Sequence, residues 1–133
     1  MLNNVKSNFI KIKIFTNLKT KRKLNIIKYN KRMLNILNIN KDSFQEFIFL
    51  KEYNDKYKRN IEDIDIKRLD LIKRNIGNEE LRDLFKINFK RLYHLNLGDN
   101  EISDINVLEK VNLKELKILR LNYNKISDIK VLE

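Results

Sequence analysis

The feature that most constrains this chain is a phrase it uses twice. Ile-Ser-Asp-Ile begins at Ile102 and again at Ile126, and the match extends well beyond that tetrapeptide. Leu92, Leu95, Leu97, Asn100, Ile102, Ile105 and Leu108 return, in the same order and at the same spacing, as Leu116, Leu119, Leu121, Asn124, Ile126, Ile129 and Leu132. A constant period, longer than one helix or strand, marks a chain built from stacked copies, each unable to bury its apolar face without a neighbour. A fainter copy lies upstream, where Ile66, Leu69, Leu71 and Ile76 take the offsets of Leu92, Leu95, Leu97 and Ile102. There the step to the next copy is longer by two positions, and Arg74 stands in the asparagine position, with Asn75 one place displaced.

Each recurring position has a physical reading. Leu95 and Leu97 alternate at period two, so they share the core side of a short strand. Asn100 and Asn124 follow where the chain turns away, and an amide side chain there can satisfy backbone groups that the turn leaves unpaired. Ser103 and Ser127, each followed by an acid (Asp104, Asp128), read as starts of short helices. Asn78 with Glu79 and Glu80 reads as a further helix start, with Leu81, Leu84 and Phe85 as its apolar face.

The pattern L-x-x-L-x-L-x-x-N-x-I resembles the leucine-rich repeat. The resemblance implies a short α/β solenoid over residues 66–133, of about three coils with the last incomplete, and an asparagine ladder formed by Asn100 and Asn124. It also implies a concave face made by residues between the core leucines. Carried from copy to copy, these fall into columns: Lys67, Tyr93, Lys117; Arg68, His94, Ile118; Asp70, Asn96, Arg120; Ile72, Gly98, Asn122; Lys73, Asp99, Tyr123. Protein recognition is the function expected there. The candidate partner-binding residues are Arg68, Asp70, Tyr93, His94, Asn96, Asp99, Lys117, Ile118, Arg120, Asn122 and Tyr123. His94 is read as an exposed polar side chain rather than a ligand or a base.

Charge divides the chain. Its net charge is +11, and residues 1–41 hold 11 Lys or Arg with no Asp or Glu, whereas the remaining basic and acidic residues balance. Asn, Ile and Lys together approach half of the sequence, so part of the lysine content reflects A/T-rich codons. A basic arm at residues 6–41 suits nucleic acid or an acidic membrane by charge alone. No zinc-finger spacing or glycine-rich loop accompanies it, which leaves specific nucleic-acid recognition an unfavoured reading.

Residues 9–34 read as two helices, with Ile10, Ile14 and Leu18 on one face and Leu24, Ile27 and Leu34 near another; the alternation of Ile10, Ile12 and Ile14 leaves a strand as the alternative. The run Ile14-Phe15-Thr16-Asn17-Leu18, then Leu24, Ile26 and Ile27, then Tyr29-Asn30-Lys31-Arg32, resembles an F-box. That family's Leu-Pro opening and its closing aromatic are absent, with Met33 in the latter's place. The resemblance implies docking of a Skp-type adaptor of cullin ubiquitin ligases, with Ile14, Phe15, Leu18, Leu24 and Ile27 facing either the adaptor or the module's own core. The organisation expected is thus a mainly helical, basic module at 1–41, a connector at 42–65 packed on the first coil, and the repeats at 66–133.

Catalysis finds no foothold. There is no cysteine and only one histidine, so thiol chemistry, disulfides and a multi-histidine metal site are excluded. Gly77 and Gly98 are too few for a phosphate-cradling loop. Glu62, Asp63 and Asp65 lack the spacing and glycine of a calcium loop. No cofactor is expected. No apolar run is long enough to cross a membrane, and a cytoplasmic location, with the nucleus as alternative, is the expectation. The competing readings of function are the charge-driven binder and a shortened repeat protein with no activity of its own.

Overall fold

The computed structural model describes residues 11, 14, 15, 18, 22, 23, 25, 26, 31–37, 41–111 and 113–132. Helix α1 (Lys31–Ile36) precedes the longer α2 (Lys41–Tyr57). Strand β1 (Arg68–Asp70), helix α3 (Asn78–Leu84), strand β2 (His94–Asn96), a 3-10 segment (Asn106–Lys110), strand β3 (Ile118–Arg120) and a last 3-10 turn (Lys130–Leu132) follow.

The 17-residue α2 occupies what the sequence presented as a connector. Phe44, Phe47, Leu50, Tyr53 and Tyr57 recur at three- and four-residue steps, which sets one apolar stripe along a helix. Phe47, Leu50 and Tyr53 on that stripe are buried. The helix ends at Tyr57 because Lys58 turns left-handed (φ 53°), the usual way a helical chain reverses. Asn54 then pins the departing chain, donating from Nδ2 to Ile61 O (2.8 Å) and accepting from Ile61 N–H (3.0 Å).

The sheet is parallel, in the order β1-β2-β3. Its register pairs Arg68 with His94 and Ile118, Leu69 with Leu95 and Leu119, and Asp70 with Asn96 and Arg120. Pairing continues past the strands: Glu101 N–H reaches Ile76 O (2.9 Å) and Lys125 N–H reaches Ile102 O (2.8 Å). Leu69, Leu71, Leu95, Leu97, Ile102 and Ile105 send their side chains into one core, where Phe15, Phe47, Leu50, Ile76, Leu81, Leu84, Ile87 and Phe89 meet them.

This overturns the expected solenoid of about three coils. The described residues form a small mixed α/β unit, in which the segments that follow successive strands do not repeat one another. β1 reaches β2 through a seven-residue α-helix, β2 reaches β3 through a five-residue 3-10 segment, and β3 is followed only by a three-residue 3-10 turn. The physical reason lies in burial. Leu81 and Leu84 of α3 have α2 to pack against, so a full helix is stabilised there. The third segment has no such cover: Leu119, Leu121 and Ile126 are half-buried, while Ile129 and Leu132 are 58% and 50% exposed. Phe15, Phe47 and Leu69, one from each of the three expected segments, belong to one core.

The expected helix caps are also corrected. α3 starts after Gly77 with no side-chain cap. Asn78 instead bridges to the neighbouring segment, donating to Ser103 Oγ (2.8 Å) and accepting from the N–H groups of Ser103 (2.9 Å) and Asp104 (3.1 Å). The acceptors at the two 3-10 segments are the acids rather than the serines: Asp104 takes Asn106 N–H (2.9 Å) and Asp128 takes Lys130 N–H (3.0 Å). An Asp side chain reaching the N–H two residues on is a local turn that competes with a true helix start, and it holds these segments at a 3-10 turn.

Two charged clusters join α2 to α3. Glu80 is buried and accepts from Tyr53 Oη (2.8 Å), Arg59 Nε (2.8 Å) and Arg59 Nη2 (3.0 Å), while Arg59 also donates to Arg74 O (2.8 Å). Burial, reinforced by the bond to Glu80, pushes the Tyr53 phenol far above its ordinary range, so it is a permanent donor. Nearby, Asp83 accepts from Lys56 (2.8 Å), Lys86 (2.6 Å) and Tyr57 (2.7 Å). The bonds from Lys56 and Lys86 hold its carboxyl well below the usual carboxylate range.

Candidate functional site

The strand register turns the expected columns into a physical face. Alternation along β1 sends Leu69 inward and leaves Arg68 and Asp70 exposed. Their partners in β3, Ile118 and Arg120, are half-buried and exposed. β2 lies between, and there the expectation fails. His94 is only 7% exposed, and Asn96 is buried with it. His94 stands between Arg68 and Ile118, and Asn96 between Asp70 and Arg120. Neighbouring strands are about 4.8 Å apart, so the middle of each row is closely flanked on both sides. His94 is instead enclosed, with its Nε2 buried and without a hydrogen-bond partner among the described residues, and Asn96 turns its Oδ1 to the Gly98 N–H (3.1 Å).

What remains exposed lies at the two ends of the strands. Beyond their C-terminal ends, Lys73, Asp99 and Tyr123 hold equivalent positions, all with left-handed backbone at φ 54°, 53° and 55°. Tyr123 is 79% exposed and Asp99 half-buried. In the adjoining row, Ile72 and Asn122 are exposed and Gly98 lies between them. A Cβ on Gly98 would stand 3.0 Å from Asn122 Oδ1 and 3.2 Å from Asn96 Oδ1, so the glycine makes the room these two amides occupy.

Before the strands lies a groove of about 560 Å³ lined by Lys67, Arg68, Lys90, Arg91, Tyr93 and Glu115. Tyr93 is 41% exposed and has Lys117 Nζ 5.7 Å from its ring centre, a cation–π contact. Lys90 and Arg91 were not among the candidates. Their signal was the Lys-Arg pair directly before Leu92, two adjacent charges that an apolar core does not take up unpaired.

Behind the face, Asn100 and Asn124 bind backbone. Asn100 Oδ1 accepts from the N–H groups of Arg74 and Ile76 (both 3.0 Å), and its Nδ2 donates to Leu71 O and Leu97 O (both 2.9 Å) and Gly98 O (3.1 Å). Asn124 accepts from Ile102 N–H (3.0 Å) and donates to Leu97 O (2.8 Å) and Leu121 O (2.9 Å). These bonds fix the bend at the end of β2 and β3, and with it the positions of Asp99 and Tyr123.

The residues considered for adaptor docking lie elsewhere. Phe15 is 6% exposed and part of the core, and Ile14 and Leu18 are half-buried. Leu24 and Ile27 lie outside the described residues. Lys23, from the basic arm, is buried, 4.0 Å from Asp63 and 6.0 Å from the centre of the Phe47 ring. Of the acidic run, Glu62 and Asp65 are exposed.

Among the described residues, no three His, Cys, Asp or Glu side chains are grouped so as to hold a metal ion. Among the same residues, no helix is long and apolar enough to cross a membrane. No family model, no curated protein and no solved structure matches this chain.

Proposed function

We propose that this protein is a non-catalytic recognition module that binds a protein partner through the exposed face of its parallel sheet. One observation carries the reading: the outward side chains lie in strict register across three strands, with Arg68, Asp70 and Arg120 exposed on either side of the buried His94 and Asn96, while Leu69 and Leu95 point into the core. A rigid face with large residues at its ends, Tyr93 and Tyr123, is the kind of surface on which a few anchors dominate binding. The hydrogen bonds of Asn100 and Asn124 hold that face in place, and the likeness of residues 92–108 and 116–132 to leucine-rich repeats points the same way.

The test is affinity capture by the full chain beside a Tyr93→Ala, Tyr123→Ala variant whose folding is checked by circular dichroism. The reading expects a defined set of proteins held by the wild type and released by the variant. Identical capture by both chains would rule it out.

A further inference from the structure

Charge on the exposed face is not spread evenly. At the N-terminal ends of the strands, Lys67, Arg68, Arg91 and Lys117 are exposed and make no salt bridge among the described residues. Only one carboxylate among the described residues, Glu115, lines the same groove. Toward the other end, Asp70 and Asp99 stand among Lys73 and Arg120, so charges of both signs meet there. Several of the less exposed carboxylates already have cations: Glu80 has Arg59, Asp83 has Lys56 and Lys86, and Glu46 has Lys90. What sets this groove apart is concentration: Lys67, Arg68, Lys90 and Arg91 line it together.

We propose that this groove binds an acidic segment of the protein partner, with Arg68 and Arg91 receiving its carboxylates. The proposal rests on the partner-binding reading and names the chemistry of that partner. Guanidinium groups present a planar fork that matches a carboxylate with two parallel hydrogen bonds. Lys67 and Lys117 add positive potential, and like-signed charges along a concavity steer an oppositely charged ligand into it. The volume, about 560 Å³, falls in the about 300–1,000 Å³ range of ligand clefts. Tyr93 gives the segment one flat apolar contact. A nucleic-acid strand is disfavoured, because single-strand binding calls for successive stacking aromatics, of which the groove has one.

The decisive experiment uses the full chain and labelled decaglutamate, followed by fluorescence anisotropy at about 0.1 M salt, where charges further apart than about 10 Å are screened. An Arg68→Glu, Arg91→Glu variant is compared with Lys110→Glu, Lys130→Glu, which makes the same change in net charge on the 3-10 segments. A Lys67→Glu, Lys117→Glu variant stands in if the first fails to fold. The groove variant should lose at least about tenfold in affinity and the control less than about twofold. Equal losses would overturn the proposal, since overall charge would then account for binding, as would failure of the wild type to bind. Tighter, groove-dependent binding of decauridylate would replace the acidic peptide with nucleic acid. If captured partners are lost with Tyr123→Ala yet decaglutamate fails to displace them, the groove assignment falls and the partner-binding reading survives. If face variants capture all that the wild type does, the broader reading falls.

Discussion

Asn100 and Asn124 meet at one carbonyl, each donating from its Nδ2 to Leu97 O, at 2.9 and 2.8 Å. Asn100 is buried and serves four further backbone groups, whereas Asn124 is half-buried. Removing Asn100 orphans donors and acceptors that water cannot reach. Asn100→Ala should therefore cost about 2–4 kcal/mol and Asn124→Ala about 1 kcal/mol, because a buried polar group left unpaired pays its full desolvation penalty. Urea unfolding measures both, and equal midpoints would contradict the account.

The Tyr53–Glu80–Arg59 cluster makes a different prediction, about order rather than size. Tyr53→Phe removes one neutral donor and should cost about 1 kcal/mol. Arg59→Leu leaves the Glu80 carboxylate buried without its cation and should cost about 3 kcal/mol or more. Changing both Arg59 and Glu80 to leucine should be milder than Arg59→Leu alone, because no uncompensated charge remains. A double-mutant cycle by chemical denaturation decides it: additive losses would mean the charges act independently.

Acid stability should depend on Asp83. Its carboxyl is held well below the usual range by Lys56 and Lys86, so the unfolded chain binds a proton more readily than the folded one. The stabilisation is present above the unfolded value of about 3.9 and is lost as pH falls through the lower folded value. Lys56, pushed upward chiefly by its bonds to Asp83 and Glu79, has the opposite sign: its contribution holds below about pH 10.4 and fades above it. Thermal unfolding of Asp83→Asn against wild type should give curves that converge below about pH 4. A constant gap down to about pH 2 would refute this.

Tyr123 separates recognition from stability. Its φ of 55° is a left-handed conformation that a bulky residue adopts at a cost, and its side chain is 79% exposed. Tyr123→Gly should unfold within about 0.5 kcal/mol of wild type, since relief of the backbone offsets the added freedom of the unfolded chain. Tyr123→Ile should lose about 1–2 kcal/mol, because a branched Cβ suits that region worst. Partner capture should fail with either. If Tyr123→Gly unfolds far more readily than wild type, the tyrosine supports the fold rather than the face.

The parallel register could be read from the sequence, because the offsets between the copies are the strand pairings. The chemistry of Asn100 was legible for a similar reason: a polar residue recurring among buried leucines needs backbone partners. The repetition was also misleading. Identical spacing suggested identical coils, but whether a helix forms between strands depends on what covers it, and α2 packs against α3. α2 itself was legible in the stripe from Phe44 to Tyr57, hidden by the charged residues between. The enclosure of His94 was not legible, since its neighbours in the sheet, Arg68 and Ile118, are remote along the chain. The preference of Asp104 and Asp128 for a local turn could not be told from a helix cap, because both use the same acceptor on the same side of the chain.

The longer step from β1 to β2 and the shorter one from β2 to β3 end in the same row. The extra length is taken up on the helical side of the molecule, between β1 and β2, and does not displace Tyr93 relative to Lys67 or Lys117. Spacing along the chain and alignment across the sheet are thus uncoupled. Insertions behind the sheet can change the bulk of the molecule while the pattern presented in front stays in phase, so the two sides are free to diverge at different rates.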